Sequence, residues 1–213
     1  MIKPNLTDSK EFAKVARYAF APVYPYLAKQ IKSKFGVSDG ICVDVGSGLG
    51  NLAIEMAKIT DMKVFALDIQ HEMCKLAQEN IMEAGLSHRV ITTTADVCRM
   101  PFPNNFADLV ISRGSIFFWK DKIAGCTEIY RILKPGGVAY CGGGMGSKKI
   151  RAEVMRSIKE GNMLTPEKAA LAYNIGKPGR RLEPDKLCTA LVQAGIPANA
   201  KKENGGIWIQ FIK

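Results

Sequence analysis

Histidine, tryptophan and long apolar runs are scarce in this chain of 213 residues, and each scarcity excludes something. There are two histidines, His71 and His88, and two tryptophans. So few imidazoles leave little for a histidine-based catalytic or metal centre, and catalysis without histidine is expected. No stretch approaches the ~18 uninterrupted apolar residues of a membrane-spanning helix. The N-terminal MIKPNLTDSKEF lacks the apolar segment of a secretory signal, which makes a cytoplasmic protein the expectation. The six cysteines, Cys42, Cys74, Cys98, Cys126, Cys141 and Cys188, form no CxxC pair and no zinc-like spacing. Reduced, mostly buried thiols follow, with no metal expected; thiol or metalloid chemistry using several of them is the alternative.

What is present reads as one globular domain. The chain is 47% hydrophobic and 23% charged, which excludes a disordered tail, a coiled coil or a collagen-like chain. A chain of this length removes roughly 70% of its unfolded surface from water and can build a sizeable core. The charge is less ordinary, at a net +10. It is concentrated in the flanks, with +4 in residues 1–40, −1 in 41–144 and +7 in 145–213. Lys148, Lys149, Arg180, Arg181, Lys201 and Lys202 belong to the last group. Such flanks suit an anionic substrate or partner, although a solvated helix face carries the same signature.

From Gly40 onward, short apolar runs alternate with helical patterns. Strands are expected at 41–45, 63–67, 90–94, 109–112, 138–141 and 206–212. Nearly continuous apolar runs suit strands buried on both faces, the habit of parallel sheets. One intervening helix presents Met73, Leu76, Ala77, Ile81 and Ala84, with Gly85 as its stop. Another presents Ile123, Thr127, Tyr130 and Leu133. Ahead of the sheet, Asp8 and Glu11 have capping-box spacing for a first helix, and a second runs to about Lys34 with Gly36 as its cap. Further helices are expected at about 148–160, 166–174, where Thr165 and Pro166 open the first turn, and 184–194. This alternation predicts a doubly wound α/β fold.

The first strand runs into Val43–Gly50, reading VDVGSGLG. Glycines at 46, 48 and 50 let the backbone turn sharply and approach a ligand at the start of the next helix. A dinucleotide fold wants its third glycine one position later, where Asn51 stands. Asp44 precedes the loop and Asp68 ends the second strand, where a carboxylate can accept both hydroxyls of a ribose.

With these residues the sequence resembles the class I S-adenosylmethionine-dependent methyltransferases, in the small-molecule, type 11 branch that includes ubiquinone and menaquinone methyltransferases. The resemblance covers about residues 40–144. VDVGSGLG resembles the first motif, DIQHEMCKLA (68–77) the second, ADVCRMPFPNNFADLVIS (95–112) the third and fourth, and EIYRILKPGG (128–137) the turn into the next strand. It implies a Rossmann-like, seven-stranded, mostly parallel sheet with an antiparallel last strand. Residues 1–39 would be an N-terminal helical lid, 40–144 the cofactor core, and 145–213 a helical insert with the last two strands. S-adenosyl-L-methionine (SAM) would be the cofactor and S-adenosyl-L-homocysteine (SAH) the product. Gly46, Ser47 and Gly48 would lie against its methionine part, and Asp44 would face its amino group. Asp68 would hold the ribose, Ile69 and Val97 the adenine ring, Asp96 the adenine amino group, and Ser112 would complete the set. The plainer alternatives are that Asp44 caps the loop, Asp68 caps the following helix and Asp96 shapes a turn.

Acceptor contacts are expected from strand ends and the segments above them: Tyr24 and Tyr26 in the lid, Arg113, Gly114 and Phe118 after the fourth strand, and Gly143 after the fifth. Arg113 would grip an anionic group or hold a helix terminus. Gly142–Gly144 would leave room for substrate. Trp208 reads as packing. The Ser112–Ser115 segment lacks the motif of amino-methyltransferases acting on bases, which disfavours nucleic acid. The expected function is methyl transfer to a small, anionic or metabolite-like acceptor, driven by proximity and alignment. The alternatives are an RNA methyltransferase using the basic flanks, or a SAM-binding partner subunit without its own turnover. Oligomeric state is not indicated.

Overall fold

The computed structural model describes residues 15–160 and 182–213. A π-helical turn at Val15–Ala19 leads into α1, Val23–Phe35. Pro22 and Pro25 fall at and just inside the start of α1, where a missing N–H costs no helical hydrogen bond. Gly36 ends the helix at φ 63°, as expected of a left-handed cap. There follow β1 (Ile41–Val45), α2 (Asn51–Ile59), β2 (Lys63–Asp68), α3 (His71–Glu83), β3 (Val90–Thr94) and β4 (Ala107–Arg113). After a short 3-10 turn at Ile116–Phe118 come α4 (Lys122–Ile132), β5 (Leu133–Gly144), α5 (Lys148–Glu160), α6 (Pro184–Gln193), β6 (Asn199–Glu203) and β7 (Gly206–Ile212). The Asp8–Glu11 capping box, the 166–174 helix with Thr165, and Arg180 and Arg181 lie outside the described residues.

The strands form one seven-stranded sheet in the order β3-β2-β1-β4-β5-β7-β6. β1 to β5 are mutually parallel, and β7 is antiparallel to both neighbours. β1 and β4 are neighbours, so the strand order reverses there, and α/β sheets bind ligands at the strand C-terminal ends beside such a reversal. Asp44 of β1 sits opposite Ala66 of β2 and Ile111 of β4, one step from that end.

Both faces are packed, which is why β1 reads as an unbroken apolar run. Cys42, Ala66, Ile111, Tyr140 and Trp208 pack beneath α1, α2, α3 and α5. Val43, Leu67, Val110, Cys141 and Phe211 pack beneath α4 and α6. Edge strands bury less: of β3 only Val90 is fully buried.

Two expectations are corrected. The buried face of α4 is Gly125, Cys126, Ile129 and Ile132, and Ile123 is exposed. Trp119 sets that rotation, because a Cβ on Gly125 would come within 2.9 Å of its ring. In α3 the face is Met73, Cys74, Ala77 and Ile81; Ala84 lies past the helix end and is exposed. The polar run Asn199–Glu203 forms β6 at the sheet edge, where little is buried, and with β7 it supplies the last two strands that the resemblance implies. Asn204 and Gly205, both at positive φ, make the hairpin turn that joins it to β7.

Candidate cofactor and acceptor site

The loop after β1 is shaped by three glycines at positive φ, Gly46, Gly48 and Gly50. Gly46 and Ser47 both donate their backbone N–H to the Leu67 carbonyl, at 2.7 and 2.9 Å, which ties the loop to the end of β2. Asp68 completes the tie. Its Oδ2 accepts from the Gly48 N–H and its Oδ1 from the Gln70 N–H, both at 2.9 Å. Burial raises this carboxyl above its ordinary range, and the amides of Gln70, Gly48 and Ile69 pull it partly back. Asp68 therefore does cap local backbone, and each oxygen keeps lone-pair capacity for a further donor.

Asp44 is almost fully enclosed, and its Oδ2 has no hydrogen-bond partner among the described residues. Burial pushes its carboxyl up to about 7, the Ala53 N–H at the start of α2 pulls it down, Asp68 raises it and Arg113 lowers it. Three other enclosed atoms lack partners among the described residues: Ser47 Oγ in the loop, Arg113 Nε at the end of β4, and Gln210 Oε1 on β7. Native interiors rarely leave such atoms alone unless a ligand or water completes them. Asp44, Ser47 and Arg113 lie on the glycine loop and the strand ends that flank it, whereas Gln210 lies on β7.

The adenine-side residues differ in what they offer. Ile69 is 63% exposed although apolar, a surface that a flat ring could cover. Val97 is buried against Trp119 and Gly125. Asp96 accepts from the Cys98 N–H at 2.9 Å and is exposed, so the turn role is real. The Cys98 thiol bonds the same carboxylate, and burial together with that carboxylate raises the thiol.

The acceptor side is organised by Ser115, which sequence reasoning did not place in the site. Its Oγ donates to the Val45 carbonyl at 2.9 Å, accepts from Trp119 Nε1 at 3.0 Å and lies 2.6 Å from the buried Ser112 Oγ. Ser112 is thus spent on the protein's own scaffold in this arrangement. The Arg113 guanidinium stacks 4.7 Å from the Phe20 ring and 5.2 Å from that of Tyr24, fastening the N-terminal segment over the strand end. Gly114 donates to the Gly142 carbonyl at 2.6 Å and has open space where a side chain would stand. Phe118 is half exposed, whereas Trp119 is core.

Gly142–Gly144 do not leave the room expected of them. A Cβ on Gly142 would strike the Ile207 carbonyl of β7, and one on Gly144 the Asn204 carbonyl of the hairpin turn. At Gly143 it would meet the Phe117 ring at 2.7 Å. These glycines admit neighbouring backbone and an aromatic ring. Tyr26 closes the same corner, its ring 3.0 Å from where a Gly146 Cβ would be. A groove of about 290 Å³ is lined by Tyr24, by Asn51 and Ile54 of α2 and by Asn80 of α3, and its wall includes the Arg17–Glu83 ion pair at 2.8 Å.

Other chemistry is sparse. His71 is exposed and pairs with Thr94 Oγ1 at 3.2 Å. All six cysteines are free, with Cys42, Cys74, Cys126 and Cys141 buried. Burial raises the Cys126 thiol to about 12, so it stays protonated. No group of three or more potential metal ligands occurs among the described residues. No described helix is long and apolar enough to cross a membrane.

The Methyltransf_11 family, described as a methyltransferase domain, matches residues 43–141. A sterol 24-C-methyltransferase of Aspergillus fumigatus is 36% identical over 114 residues, covering 53% of this chain and 29% of that protein. The chain thus spans less than a third of that relative's length. An uncharacterized methyltransferase of Bacillus subtilis, YdaC, is 32% identical over 127 residues, covering 59% of this chain and 68% of that protein. A solved structure from Methanococcus maripaludis, a candidate S-adenosyl-L-methionine-dependent methyltransferase, superposes with a TM-score of 0.84 at 34% identity, over 100% of this chain and 97% of that one. Sheet order, glycine loop, strand-end carboxylates and these likenesses agree: the chain belongs to the S-adenosylmethionine-dependent methyltransferases.

Proposed function

We propose that this chain transfers a methyl group from SAM to a small, anionic or metabolite-like acceptor. The observation that carries the reading is the trio of enclosed, unpartnered polar atoms, Asp44 Oδ2, Ser47 Oγ and Arg113 Nε, around the glycine loop. Asp44 Oδ2 accepts, Arg113 Nε donates and the Ser47 hydroxyl does either, and the cofactor's amino-acid end carries a cation and an anion to match. The relatives that bear substrate names include methyltransferases of sterols and of demethylmenaquinone, which supports a small-molecule acceptor.

The residues present fit the cofactor. Asp68 would accept the ribose hydroxyls, Ile69 and Val97 would flank the adenine ring, Asp96 would meet its amino group, and Gly46–Gly48 would admit the methionine part. Bound SAM supplies a methyl group on a sulfonium, whose departure leaves neutral sulfur. The protein's share is then placement. Arg113 holds the anionic end of the cofactor, while Phe20, Tyr24, Tyr26 and Phe118 wall off water. No histidine is positioned to move a proton, so the acceptor arrives with its lone pair available. Residues 1–39 act as the lid of one domain.

Incubation with isotopically labelled SAM and fractionated cell extract, followed by mass spectrometry, tests this. Label in a small molecule supports it; label confined to RNA, and lost on nuclease treatment, replaces it with the RNA reading. That second reading draws on the exposed cations Lys148, Lys149, Arg151, Arg156 and Lys159 of α5 and Lys201 and Lys202 of β6. Binding of SAM with no labelled product in any fraction would favour a partner subunit without turnover.

A further inference from the structure

Arg113 is held by its flat face and not by hydrogen bonds. Its guanidinium lies 4.7 Å from the Phe20 ring and 5.2 Å from the Tyr24 ring. A guanidinium over an aromatic ring commits its face to the contact and leaves its N–H edge free for an anion. Nothing among the described residues takes that edge. The Nε is enclosed and unpartnered, and Arg113 makes no ion pair with a described carboxylate.

The sheet register places this edge relative to Asp44. Ile111 of β4 stands opposite Asp44 of β1, and Arg113 follows two residues later, so it projects from the same face of the sheet, about 7 Å nearer the C-terminal rim. Asp44 Oδ2, likewise enclosed and unpartnered, belongs to that face. A carboxyl and a guanidinium offset in this way, each without a partner, match the ammonium and carboxylate of an α-amino acid.

The two rings belong to the N-terminal segment, so the arginine and the segment hold each other. Phe20 and Tyr24 stand four residues apart where the π-helical turn passes into α1. The nearby Arg17–Glu83 ion pair is exposed and contributes little. A long arginine at a strand end has many rotamers, and restricting it to one costs entropy when an anion binds. Rings that fix the guanidinium beforehand remove part of that cost.

We propose, resting on the reading of this chain as a SAM-dependent methyltransferase, that Phe20 and Tyr24 are positioning residues for the cofactor: they fix the Arg113 guanidinium so that its free N–H edge receives the carboxylate of the methionine part. Cofactor capture and closure of the N-terminal segment are then one event, because the same arginine takes part in both. SAM and SAH carry that carboxylate alike and benefit alike. An adenosine compound without the amino-acid end, such as 5′-methylthioadenosine, gains nothing from the rings.

Binding titrations of SAM, SAH and 5′-methylthioadenosine against ring variants test this. Tyr24→Leu and Phe20→Leu should each weaken SAM and SAH by about fivefold to tenfold and leave 5′-methylthioadenosine within about twofold. Tyr24→Phe, which keeps the ring, should bind SAM within about twofold of the wild type. In an Arg113→Leu background, which itself binds SAM more weakly, adding Tyr24→Leu should cost less than about twofold, because the group that the ring positions is gone. Unchanged SAM affinity in both leucine variants overturns the proposal. So does a loss shared by 5′-methylthioadenosine, an equal loss in Tyr24→Phe, or a full further loss in the Arg113→Leu background. Each of those outcomes leaves the methyltransferase reading intact, whereas failure of the wild type to bind SAM overturns both. The ring variants keep Arg113 itself, so they decide the outcome even where Arg113→Leu folds poorly.

Discussion

Ser115 occupies the space that a side chain at Gly46 would need. A Cβ on Gly46 would lie 2.2 Å from Ser115 Cβ, and the Ser115 hydroxyl is bonded to the Val45 carbonyl immediately before the glycine. The glycine loop and the segment after β4 are thereby locked against each other, and the lock can be tested.

Gly46→Ala should destabilise the protein by about 2 kcal/mol or more, combining a steric clash with a φ of 67° that L residues avoid. Adding Ser115→Gly should recover part of the melting temperature by removing the clash, while the backbone cost remains. Thermal melts of the single and double variants read this directly. Full additivity of the two losses would mean that the contact carries no energy.

Asp68→Ala should leave the fold in place and weaken SAM binding by roughly 30-fold or more, the loss expected when a carboxylate no longer accepts hydrogen bonds. Asp68→Asn keeps one acceptor oxygen and should lose less. Circular dichroism checks the fold and a binding titration the affinity. Wild-type-like affinity in the alanine variant would remove Asp68 from the ribose.

Asp44 also makes stability depend on pH. Its carboxyl titrates at about 7 in the fold against an ordinary 3.8, so between those values the folded chain holds a proton that the unfolded chain has lost. Stability from this group is complete below about 3.8 and is lost as pH rises through about 7, by on the order of a few kcal/mol. Asp44→Asn mimics the protonated form. In the absence of cofactor its melting temperature should exceed that of the wild type by a margin that grows from pH 5 to pH 7 and is constant above. Asp68 shifts in the same direction, so the difference between the two proteins is the quantity to read.

Tyr140 anchors the end of the sheet to α1. Its hydroxyl donates to Glu203 Oε1 at 2.8 Å, Glu203 pairs with Lys34, and its ring stacks on Trp208 at 4.3 Å. Burial and the Glu203 bond hold its hydroxyl far above the ordinary tyrosine range. Tyr140→Phe should cost about 1 kcal/mol. It should leave the number of tyrosines titrating by pH 11, read from ultraviolet absorbance, unchanged. A titration count lower by one would contradict the buried hydroxyl.

Much of this architecture is legible in the residues because burial on both faces writes itself as apolar runs. β1, β3, β7 and α5 fall on their expected bounds. The glycine loop is legible for a different reason, since three sharp backbone turns in five residues admit few other side chains. What is hidden depends on partners distant in sequence. The face of α4 is set by Trp119, the crowding at Gly142–Gly144 by β7 and Phe117, and the role of Ser115 by a carbonyl 70 residues earlier. β6 is hidden because a polar edge strand leaves only its turn, Asn204–Gly205, as a signal.

The order of the strands has a consequence for synthesis. β7 is the last strand in the chain, yet it lies inside the sheet, between β5 and β6. While the ribosome is still making it, β5 has no partner on that side and β6 has none at all. The turn at Asn204–Gly205, which crowds Gly144, has then nothing to hold it there. The nascent chain can assemble the glycine-loop half early, since β1 to β4 and their helices precede it. The other half waits for β7, so a chain truncated within β7 should retain the glycine loop and lack the finished wall beside Gly142–Gly144.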